Sequence, residues 1–402
     1  MGSHDSTFPA RSNAIDALAR KAADWRRTIH ANPETGFEEF ETTRFIVDRL
    51  ERLGCDQVVV PPCGTGAIAL IEGRGGGPMI GMRADIDALH MDELSDVPYR
   101  SRATGRMHAC GHDGHTAILL GVAGHLCENR DFPNRIVLVF QPAEENGLCG
   151  ARRLIEDGLL DDWPVERMFA LHNWPGLPIG EIGISDGAAM SAFDTFEIIV
   201  RGRGGHGGQP HKVVDPIIVG NQIVTGLQTI VSRAVDPLDM AVVSVCEFHA
   251  GSTNNVIPHS ARLSGSVRAY RDDVRRLVET RMTDIVNAAA HAHGAKCDLS
   301  YELAMPPVHN DAREARRLAS LLRPAFPTLR TAFPPGTAGE DFGFFSQRVP
   351  SVFFFLGNGD SHPLHHPEYD FSDDAIAFGI EAFVRIARTD FANGDQPHLN
   401  GR

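Results

Sequence analysis

The amino-acid sequence predicts an α/β protein made of two domains, a large domain with a mostly parallel sheet and a smaller ferredoxin-like α+β domain inserted into it. Three observations lead to this prediction. Strand-like and helix-like segments alternate over the first part of the chain, as they do in parallel α/β sheets. The middle of the chain follows the order β-α-β-β-α-β, which is the ferredoxin-like pattern. The chain has 402 residues, more than one ordinary domain contains.

The first part of the chain is expected to begin with two helices. Residues 14–34 and 38–54 carry apolar residues at helical spacing, and Gly54 suits the position just after a helix end. One further helix and four strands follow: a helix at 116–129 and strands at 65–73, 78–87, 134–145 and 166–175. The segment 134–145 is a continuous apolar run, which is typical of a strand buried on both faces.

The character of the sequence changes near residue 188. The segments after this point are four strands and two helices: strands at 194–202, 240–251, 259–270 and 295–303, and helices at 214–233 and 272–294. Alternation of the α/β type resumes after residue 306. The sequence therefore predicts a large domain formed by residues 1–187 and 306–402, with residues 188–305 as the insertion.

The composition argues against several classes of partner. The formal net charge is −14, and lysine and arginine form no basic run, so neither nucleic acid nor a membrane surface is an expected partner. No apolar run approaches the roughly 18 residues of a membrane helix. Residues 1–13 lack the apolar core of a secretory signal, and the seven cysteines show no disulfide framework. A cytoplasmic protein with free cysteines is the expectation.

Potential metal ligands concentrate where the predicted strands end. The segment 107–117, "MHACGHDGHTA", contains Cys110 and His112, and thiolate and imidazole are favoured ligands of zinc and similar metals. Four more acidic or imidazole side chains lie at strand ends: Asp85, Glu144, Glu145 and His172. Adjacent carboxylates repel each other unless a cation or a proton lies between them. The segment "SHPLHHPEYDF" adds three histidines near the C-terminus: His362, His365 and His366.

Each of these groups also has an ordinary structural explanation. Cys110 and His112 alone would be read as a buried thiol beside a hydrogen-bonded histidine, and paired carboxylates suit the start of a solvated helix. Together, ligands from successive strand ends favour a metal site. Two metals that share a bridging water could be held by one cysteine, three histidines and one glutamate. Such paired metals polarise a carbonyl and lower the pKa of the shared water. A remaining glutamate would then be free as general base, so the pattern indicates hydrolysis of an amide or ester.

Two other interpretations remain open from the residues alone. In the first, Cys110 is a nucleophile and His112 its base, although residues two apart rarely face each other and the carboxylate pair is then unexplained. In the second, the cluster is a closed structural metal site, although such sites usually use four cysteine or histidine ligands. Loss of hydrolysis on chelation, with recovery on adding metal, would separate metal catalysis from both.

The whole chain resembles the metal-dependent aminoacylase/carboxypeptidase family. It is most similar to the amidohydrolase branch, which includes hippurate hydrolase and the indoleacetyl-amino-acid hydrolases. The matching stretches run in family order from about residue 25 to 385: "RADIDAL", "MHACGHDGHTA", "QPAEE", "ALHNWP", "GRGGHGGQPH", "NVIP", "GSVR", "GEDF" and "PLHHPEYDF". The resemblance implies that the large domain is catalytic and that the insertion is a lid and dimerisation domain.

The resemblance also implies roles for residues of the large domain. The implied metal ligands are Cys110, His112, Glu145, His172 and His365. Glu144 is implied to be the base that activates the bridging water and later protonates the leaving amine, and Asp85 to support the ligands. In this branch a small residue usually follows the last ligating histidine, and His366 occupies that position here, so His366 competes with His365.

Three residues of the insertion complete the implied site. His206 lies in the glycine-rich stretch "GRGGHGGQPH", which lacks the lysine and spacing of a phosphate-binding loop. The resemblance makes His206 the donor to the tetrahedral oxyanion, where the residues alone would suggest an exposed turn histidine. Asn255 and Arg268 are implied to hold the substrate. Arg268 would suit the binding of a substrate carboxylate, since a guanidinium binds a carboxylate through two hydrogen bonds. The alternative is that Arg268 is a solvated residue on a sheet face.

The leading hypothesis is an amidohydrolase that cleaves small N-acyl-amino acids with two divalent metal ions, Mn²⁺, Zn²⁺ or Co²⁺. A metallodipeptidase or carboxypeptidase on the same scaffold is the alternative. No acidic residue in a motif offers to bind a free α-amino group, which favours the acylated substrate. A homodimer, with His206 acting on the partner's metal site, follows from the resemblance and from the commonness of two-fold pairing.

Overall fold

The computed structural model describes residues 12–392. The prediction that the chain has no secretory signal concerned residues 1–13. Most of these residues lie outside the described part of the chain. None of the helices between residues 12 and 392 combines the length and the hydropathy that a membrane-spanning helix needs.

The helices, in chain order, are α1 Asn13–His30, α2 Phe40–Leu53, α3 His112–Glu128, α4 Gly150–Glu156, α5 Leu159–Asp162, α6 Pro216–Thr229, α7 Asp272–His293, α8 Ala312–Leu322, α9 Gly343–Ser346 and α10 Ile376–Arg388. The strands are β1 Gln57–Val59, β2 Ala67–Glu72, β3 Met79–Asp85, β4 Arg135–Gln141, β5 Arg167–Trp174, β6 Ile182–Ile184, β7 Gly187–Met190, β8 Ala192–Arg201, β9 Gly205–His206, β10 Ala241–Ala250, β11 Val256–Ile257, β12 Ser260–Ala269, β13 Lys296–Met305, β14 Val308–Asn310 and β15 Ser351–Gly357. A π-helical turn at Ile230–Ala234 continues α6.

The chain forms two compact units. Among the described residues, unit 1 comprises 12–189, 309–334 and 344–392, and unit 2 comprises 190–308 and 335–343. The short segment 335–343 was assigned by the sequence to the large domain. It belongs to unit 2 because its backbone carbonyls accept hydrogen bonds from that unit, for example Pro335 O from the Tyr270 hydroxyl at 3.0 Å.

Unit 1 is built on a seven-stranded sheet in the order β1-β2-β4-β3-β5-β15-β6. The four central strands β4, β3, β5 and β15 are parallel, and the outer strands pair with them antiparallel. Parallel strands need cover on both faces, and in β15 the consecutive Phe353, Phe354 and Phe355 are all fully buried. The carboxyl ends of the parallel strands therefore meet at one edge of this sheet.

The helix ends of unit 1 follow local rules. Ser12 caps α1, since its hydroxyl accepts a hydrogen bond from the Ile15 backbone N–H at 3.3 Å. Helix α2 ends at Leu53 and is capped by Gly54, whose φ of 84° is the left-handed conformation that glycine adopts without strain. The helix end predicted at Gly54 is confirmed.

Unit 2 has a four-stranded antiparallel sheet in the order β10-β12-β8-β13 with α6 and α7. The chain order β8-α6-β10-β12-α7-β13 is the ferredoxin-like pattern. The inner face of α6 is apolar at every fourth residue, where Val219, Ile223 and Leu227 are fully buried. The predicted fold class, a mostly parallel α/β sheet with a ferredoxin-like insertion, is confirmed.

Candidate metal centre

The potential metal ligands of unit 1 gather at the carboxyl ends of β3, β4 and β5. Asp85 is the last residue of β3 and pairs in register with Gln141, the last residue of β4. His172 lies near the end of β5. Ligand sites of open parallel sheets form at this edge, which explains why residues far apart in sequence converge here.

Cys110 and His112 are presented by the sharp entry into α3. Gly111 between them has φ of 88°. A Cβ at this position would lie 2.3 Å from the Asn173 side-chain nitrogen and 2.7 Å from the Tyr369 hydroxyl. Glycine is required here both by the backbone conformation and by this close approach, and it turns the two potential ligands towards one cluster.

The hydrogen bonds of His112 leave one ring nitrogen available. His112 Nδ1 lies 3.0 Å from the backbone carbonyl oxygen of Asp87 and 3.2 Å from its carboxylate. Both of these are acceptors, so Nδ1 carries a proton and donates it. Nε2 is buried and has no hydrogen-bond partner among the described residues. A buried nitrogen without a partner is rare in proteins, and a bound cation would satisfy it.

His172 is oriented in the same way. Its Nδ1 donates to the Asn173 backbone carbonyl at 2.7 Å, and its Nε2 lies 3.4 Å from Cys110 Sγ. Burial, aided by neighbouring His115, holds the pKa of His172 well below its usual range. His172 is thus neutral and directs a nitrogen lone pair at the thiol, as metal-ligating histidines do.

The carboxylate pair lies on a strained loop after β4. Ala143 has φ of 55°, and its backbone N–H donates to the buried carboxylate of Glu39 at 2.8 Å. The Glu145 backbone N–H donates to Asp87 at 3.0 Å. Glu144 and Glu145 are both buried, and an oxygen of each lies within 4.8 Å of His112 in one group of potential ligands.

His365, and not His366, joins the cluster. His365 Nε2 lies 3.2 Å from Glu145 Oε1, and the backbone of His365 has φ of 64° and donates to the Ala109 carbonyl at 2.8 Å. His366 instead stacks on His362, with ring centroids 4.4 Å apart. These two histidines form a separate, more exposed group with Glu368.

Two groups of potential ligands share Cys110. One comprises Cys110, His112 and His172, and the other comprises Cys110, Glu145 and His365; the donor atoms of each group lie within 4.8 Å of one another. His112 Nε2 is buried without a hydrogen-bond partner among residues 12–392, and Glu145 Oε1 is buried with His365 Nε2 3.2 Å away. A soft thiolate with imidazoles and a carboxylate suits zinc-like divalent ions, so the residues fit two cations.

The electrostatics of the cluster favour positive charge. Burial opposes protonation of His112, but Asp85 and Asp87 raise its pKa to about 10. Burial also opposes ionisation of Asp85, yet His112, Arg83 and His115 hold its pKa well below its usual range. Burial and the nearby carboxylates raise the pKa of the Cys110 thiol. The negative charge of the carboxylates around Cys110 would attract a divalent cation, and the bound cation would in turn favour the thiolate form of Cys110.

Asp85 supports the cluster from behind. Its carboxylate accepts from His115 Nδ1 at 2.6 Å and from Arg83 Nη1 at 2.7 Å, and it lies 3.7 Å from His112 Nε2. His115 Nε2 in turn accepts from the Asn173 backbone N–H at 3.0 Å. These contacts link β3, α3 and β5 beneath the ligands.

Three of the predicted site residues lie in unit 2. His206 lies in the short strand β9, which pairs with β11 and brings His206 opposite Val256, the residue after Asn255. The sequence had placed His206 in a turn. His206 Nδ1 accepts from the Gly208 backbone N–H at 3.0 Å, so in the neutral ring the proton is on the exposed Nε2. The Arg268 guanidinium is half-buried and stacks on Phe193, 4.1 Å from the ring centroid.

Asp87 and Asn173 were not predicted as site residues from the sequence. Asp87 joins His112 to the Glu145 backbone, and the Asn173 side chain donates to the Cys110 carbonyl at 2.6 Å. Both follow a predicted residue in the same stretch, "RADIDAL" and "ALHNWP". The available signal was a polar side chain at the buried end of an apolar strand, where an unpaired polar group is costly.

The model of peptidase family M20/M25/M40 matches residues 81–389. An N-acetylcysteine deacetylase of Bacillus subtilis (strain 168) is 37% identical over 376 residues, which cover 93% of this chain and 98% of the relative. A hippurate hydrolase of Campylobacter jejuni is 36% identical over 365 residues, 90% of this chain and 94% of the relative. A crystal structure of a Bacillus subtilis protein, described as a dinuclear metal binding peptidase of the M20 family, superposes with a TM-score of 0.81 at 34% identity. It covers 92% of this chain and 98% of that one.

The chain therefore belongs to peptidase family M20/M25/M40, and the predicted resemblance is confirmed. It is a metal-dependent hydrolase that acts on amide bonds. The two ligand groups that share Cys110 and the dinuclear structural neighbour together indicate two metal ions.

Proposed function

We propose that this protein hydrolyses the amide bond of N-acyl-amino acids, with two divalent metal ions held by Cys110, His112, Glu145, His172 and His365. The observation that carries the proposal is the pair of ligand groups sharing Cys110, with the second buried carboxylate, Glu144, beside them. The donor set suits Mn²⁺, Zn²⁺ or Co²⁺. The named relatives, a deacetylase and a hippurate hydrolase, act on acylated amino acids.

The residues of the chain divide the work of hydrolysis. When bound, the cations supply Lewis acidity that polarises the amide carbonyl and acidifies water. Glu144 removes a proton from the attacking water and later delivers it to the leaving amine nitrogen. The exposed Nε2–H of His206 donates to the oxyanion that develops at the carbonyl. Arg268, half-buried over Phe193, binds the carboxylate of the amino-acid part.

A screen of substrates and metals tests this function. Purified protein, stripped with a chelator and reloaded with manganese, zinc or cobalt, is assayed on N-acetyl, N-benzoyl and indoleacetyl amino acids and on free dipeptides. We expect hydrolysis of acylated amino acids that disappears on chelation and returns with metal. Activity that survives complete metal removal would favour the Cys110 nucleophile, and a preference for dipeptides would favour the peptidase alternative that the M20 neighbour suggests.

The Glu144→Gln variant tests the assignment of the base. We expect turnover to fall by roughly 10²–10⁴-fold or more while metal content stays at the wild-type level, because the base moves protons without holding the cations. Metal content is measured by mass spectrometry. Near-normal turnover would show that another group is the base, and lost metal would show that Glu144 is a ligand.

We further propose a homodimer in which His206 serves the metal centre of the partner. The proposed ligands all lie in unit 1 and His206 in unit 2. Strand β10 lies at an edge of the unit 2 sheet and is exposed from Cys246 to Ala250. An exposed edge strand has unpaired backbone groups that a second copy would satisfy, and two-fold pairing is the commonest route to a dimer.

Subunit mixing tests this arrangement. Inactive His206→Ala protein is combined with inactive Glu144→Gln protein under conditions of confirmed subunit exchange. A mixed dimer would have one site that lacks both groups and one site with both intact, so activity should reappear. If exchange occurs and activity does not return, His206 acts within its own subunit or has no catalytic role.

A further inference from the structure

Two cysteines away from the metal centre lie in contact. The Sγ atoms of Cys55 and Cys127 are 3.7 Å apart, although 72 residues separate them in sequence. Both thiols are free and half-buried. Cys55 lies just after Gly54 at the end of α2, and Cys127 lies in the last turn of α3. The hydrolytic site uses neither of them.

Arg130 holds the two cysteine-bearing segments together. It follows Cys127 by three residues, and its Nη2 donates to the Gly54 backbone carbonyl at 2.7 Å. Its Nη1 pairs with the carboxylate of Asp56. Arg130 thus binds the residues on both sides of Cys55, and these contacts fix the approach of the two sulfur atoms.

We propose that Cys55 and Cys127 are a redox-sensitive pair that forms a reversible disulfide between the ends of α2 and α3 when hydrogen peroxide is present. A disulfide has an S–S distance of about 2.05 Å. The sulfur atoms therefore need to approach by less than about 2 Å, a shift on the scale that a side-chain rotation provides. Half-burial leaves the pair accessible to a small oxidant.

The oxidation balances with peroxide as the only co-reactant. The Cys127 thiolate attacks one peroxide oxygen, the O–O bond breaks, and hydroxide leaves and takes up a proton to form water. The resulting sulfenic acid is attacked at sulfur by the Cys55 thiolate. The S–S bond forms, and the departing hydroxide becomes a second water. The two cysteines lose two electrons and two protons in all, and the peroxide is reduced by two electrons.

The charges around the pair support Cys127 as the attacking thiolate. The hydrogen bond from Cys55 is the largest influence on Cys127 and lowers its pKa, and the nearby Arg130 guanidinium acts in the same direction. The same hydrogen bond raises the pKa of Cys55. A thiol activated in this way, with a second thiol in contact, is the arrangement found in redox-responsive pairs.

Peptide mapping of the metal-loaded protein tests the proposal. The protein is treated with hydrogen peroxide, alkylated without reduction, digested and analysed by mass spectrometry. We expect a cross-linked peptide containing Cys55 and Cys127, lighter by two hydrogens than its two parts, which disappears when a reductant is added first. Both single variants, Cys55→Ser and Cys127→Ser, should lose the cross-link. Cys297→Ser, which changes a half-buried thiol of unit 2, is the matched control and should retain it.

Thermal unfolding supplies a second measurement on the wild-type protein. A disulfide that closes a 72-residue segment restricts the unfolded chain, so the unfolding midpoint should be higher after peroxide treatment and should return on reduction. The proposal is overturned if both thiols remain open to alkylation after peroxide, if Cys127 accumulates as a sulfinic acid without a cross-link, or if Cys127 links to another cysteine.

Discussion

The replacement of Asp87 by asparagine should weaken metal binding without touching a proposed ligand. The Asp87 carboxylate is 1% exposed and has two donor neighbours, the His112 Nδ1–H at 3.2 Å and the Glu145 backbone N–H at 3.0 Å. A carboxylate can accept from both. An asparagine amide has one oxygen and one NH₂ group, so one of these two contacts must become donor against donor.

The size of the effect follows from these contacts. Loss of a hydrogen bond to a charged acceptor costs about 1.5–3 kcal/mol, and about 1.4 kcal/mol corresponds to a tenfold change in affinity. We therefore expect Asp87→Asn to weaken divalent-metal affinity roughly 10- to 100-fold, the range typical of partners of metal-bound histidines. At saturating metal most of the turnover should return, because Asp87 orients His112 and Glu145 and does not act on the substrate.

Metal titration with a fluorescent competitor measures the affinity directly. Asp131→Asn makes the same chemical change at an exposed position and should bind metal like the wild type. Thermal unfolding of both metal-free variants shows whether the protein remains folded. Wild-type affinity in a folded Asp87→Asn protein would refute the argument, since it would mean that the position of His112 does not depend on Asp87.

Two further predictions concern a substrate contact and a buried histidine. Arg268→Ala should raise the KM for acyl-amino acids and abolish the preference for a free carboxylate over its amide, at a cost of roughly 1.5–3 kcal/mol; equal losses on both substrates would place Arg268 outside the site. Burial opposes protonation of His30, but Asp113 and Glu93 raise its pKa from 6.5 to about 9. Because the folded-state pKa is the higher one, the protonated His30 stabilises the folded protein fully below about pH 6.5. This stabilisation, roughly 3 kcal/mol in the free energy of unfolding, is lost as the pH rises through about 9. Urea unfolding across this range should show the loss in the wild type and a flatter profile in His30→Gln, and identical slopes would contradict the assignment.

Much of the fold could be predicted because the pattern of each segment is local. The continuous apolar run of β4, the helical spacing of α1 and the glycine after α2 each depend on residues within a few positions of one another. Segment 335–343 was misplaced because its contacts are distant in sequence. The Ser191 backbone N–H, for example, donates to the Gly336 carbonyl at 3.1 Å, and no periodicity within 335–343 signals such a partner.

In the candidate site too, some features could be predicted from the sequence and others could not. The five proposed ligands were identified from their chemical types and from the family motifs, and the structure brings all five together in unit 1. The supporting contacts were not predicted. Asp87 contacts His112 and Glu145, which are 25 and 58 residues away in sequence. The positive φ of His365 decides that this histidine, and not His366, faces the cluster. Such facts require the tertiary structure.

The first turn of α3 connects the metal centre to a second buried charge cluster. His112 faces the proposed ligands, while the next residue, Asp113, is fully buried and pairs with Arg26 Nη1 at 3.1 Å and His30 Nδ1 at 2.8 Å. Arg26 also pairs with Asp370 at 3.1 Å and Asp373 at 2.6 Å. Breaking one member of such a network leaves a buried charge unpaired, which strongly destabilises a protein. The start of α3 is therefore held by contacts that include no proposed metal ligand. His112 is positioned by this packing before any cation binds, and metal binding need not supply the free energy of ordering it.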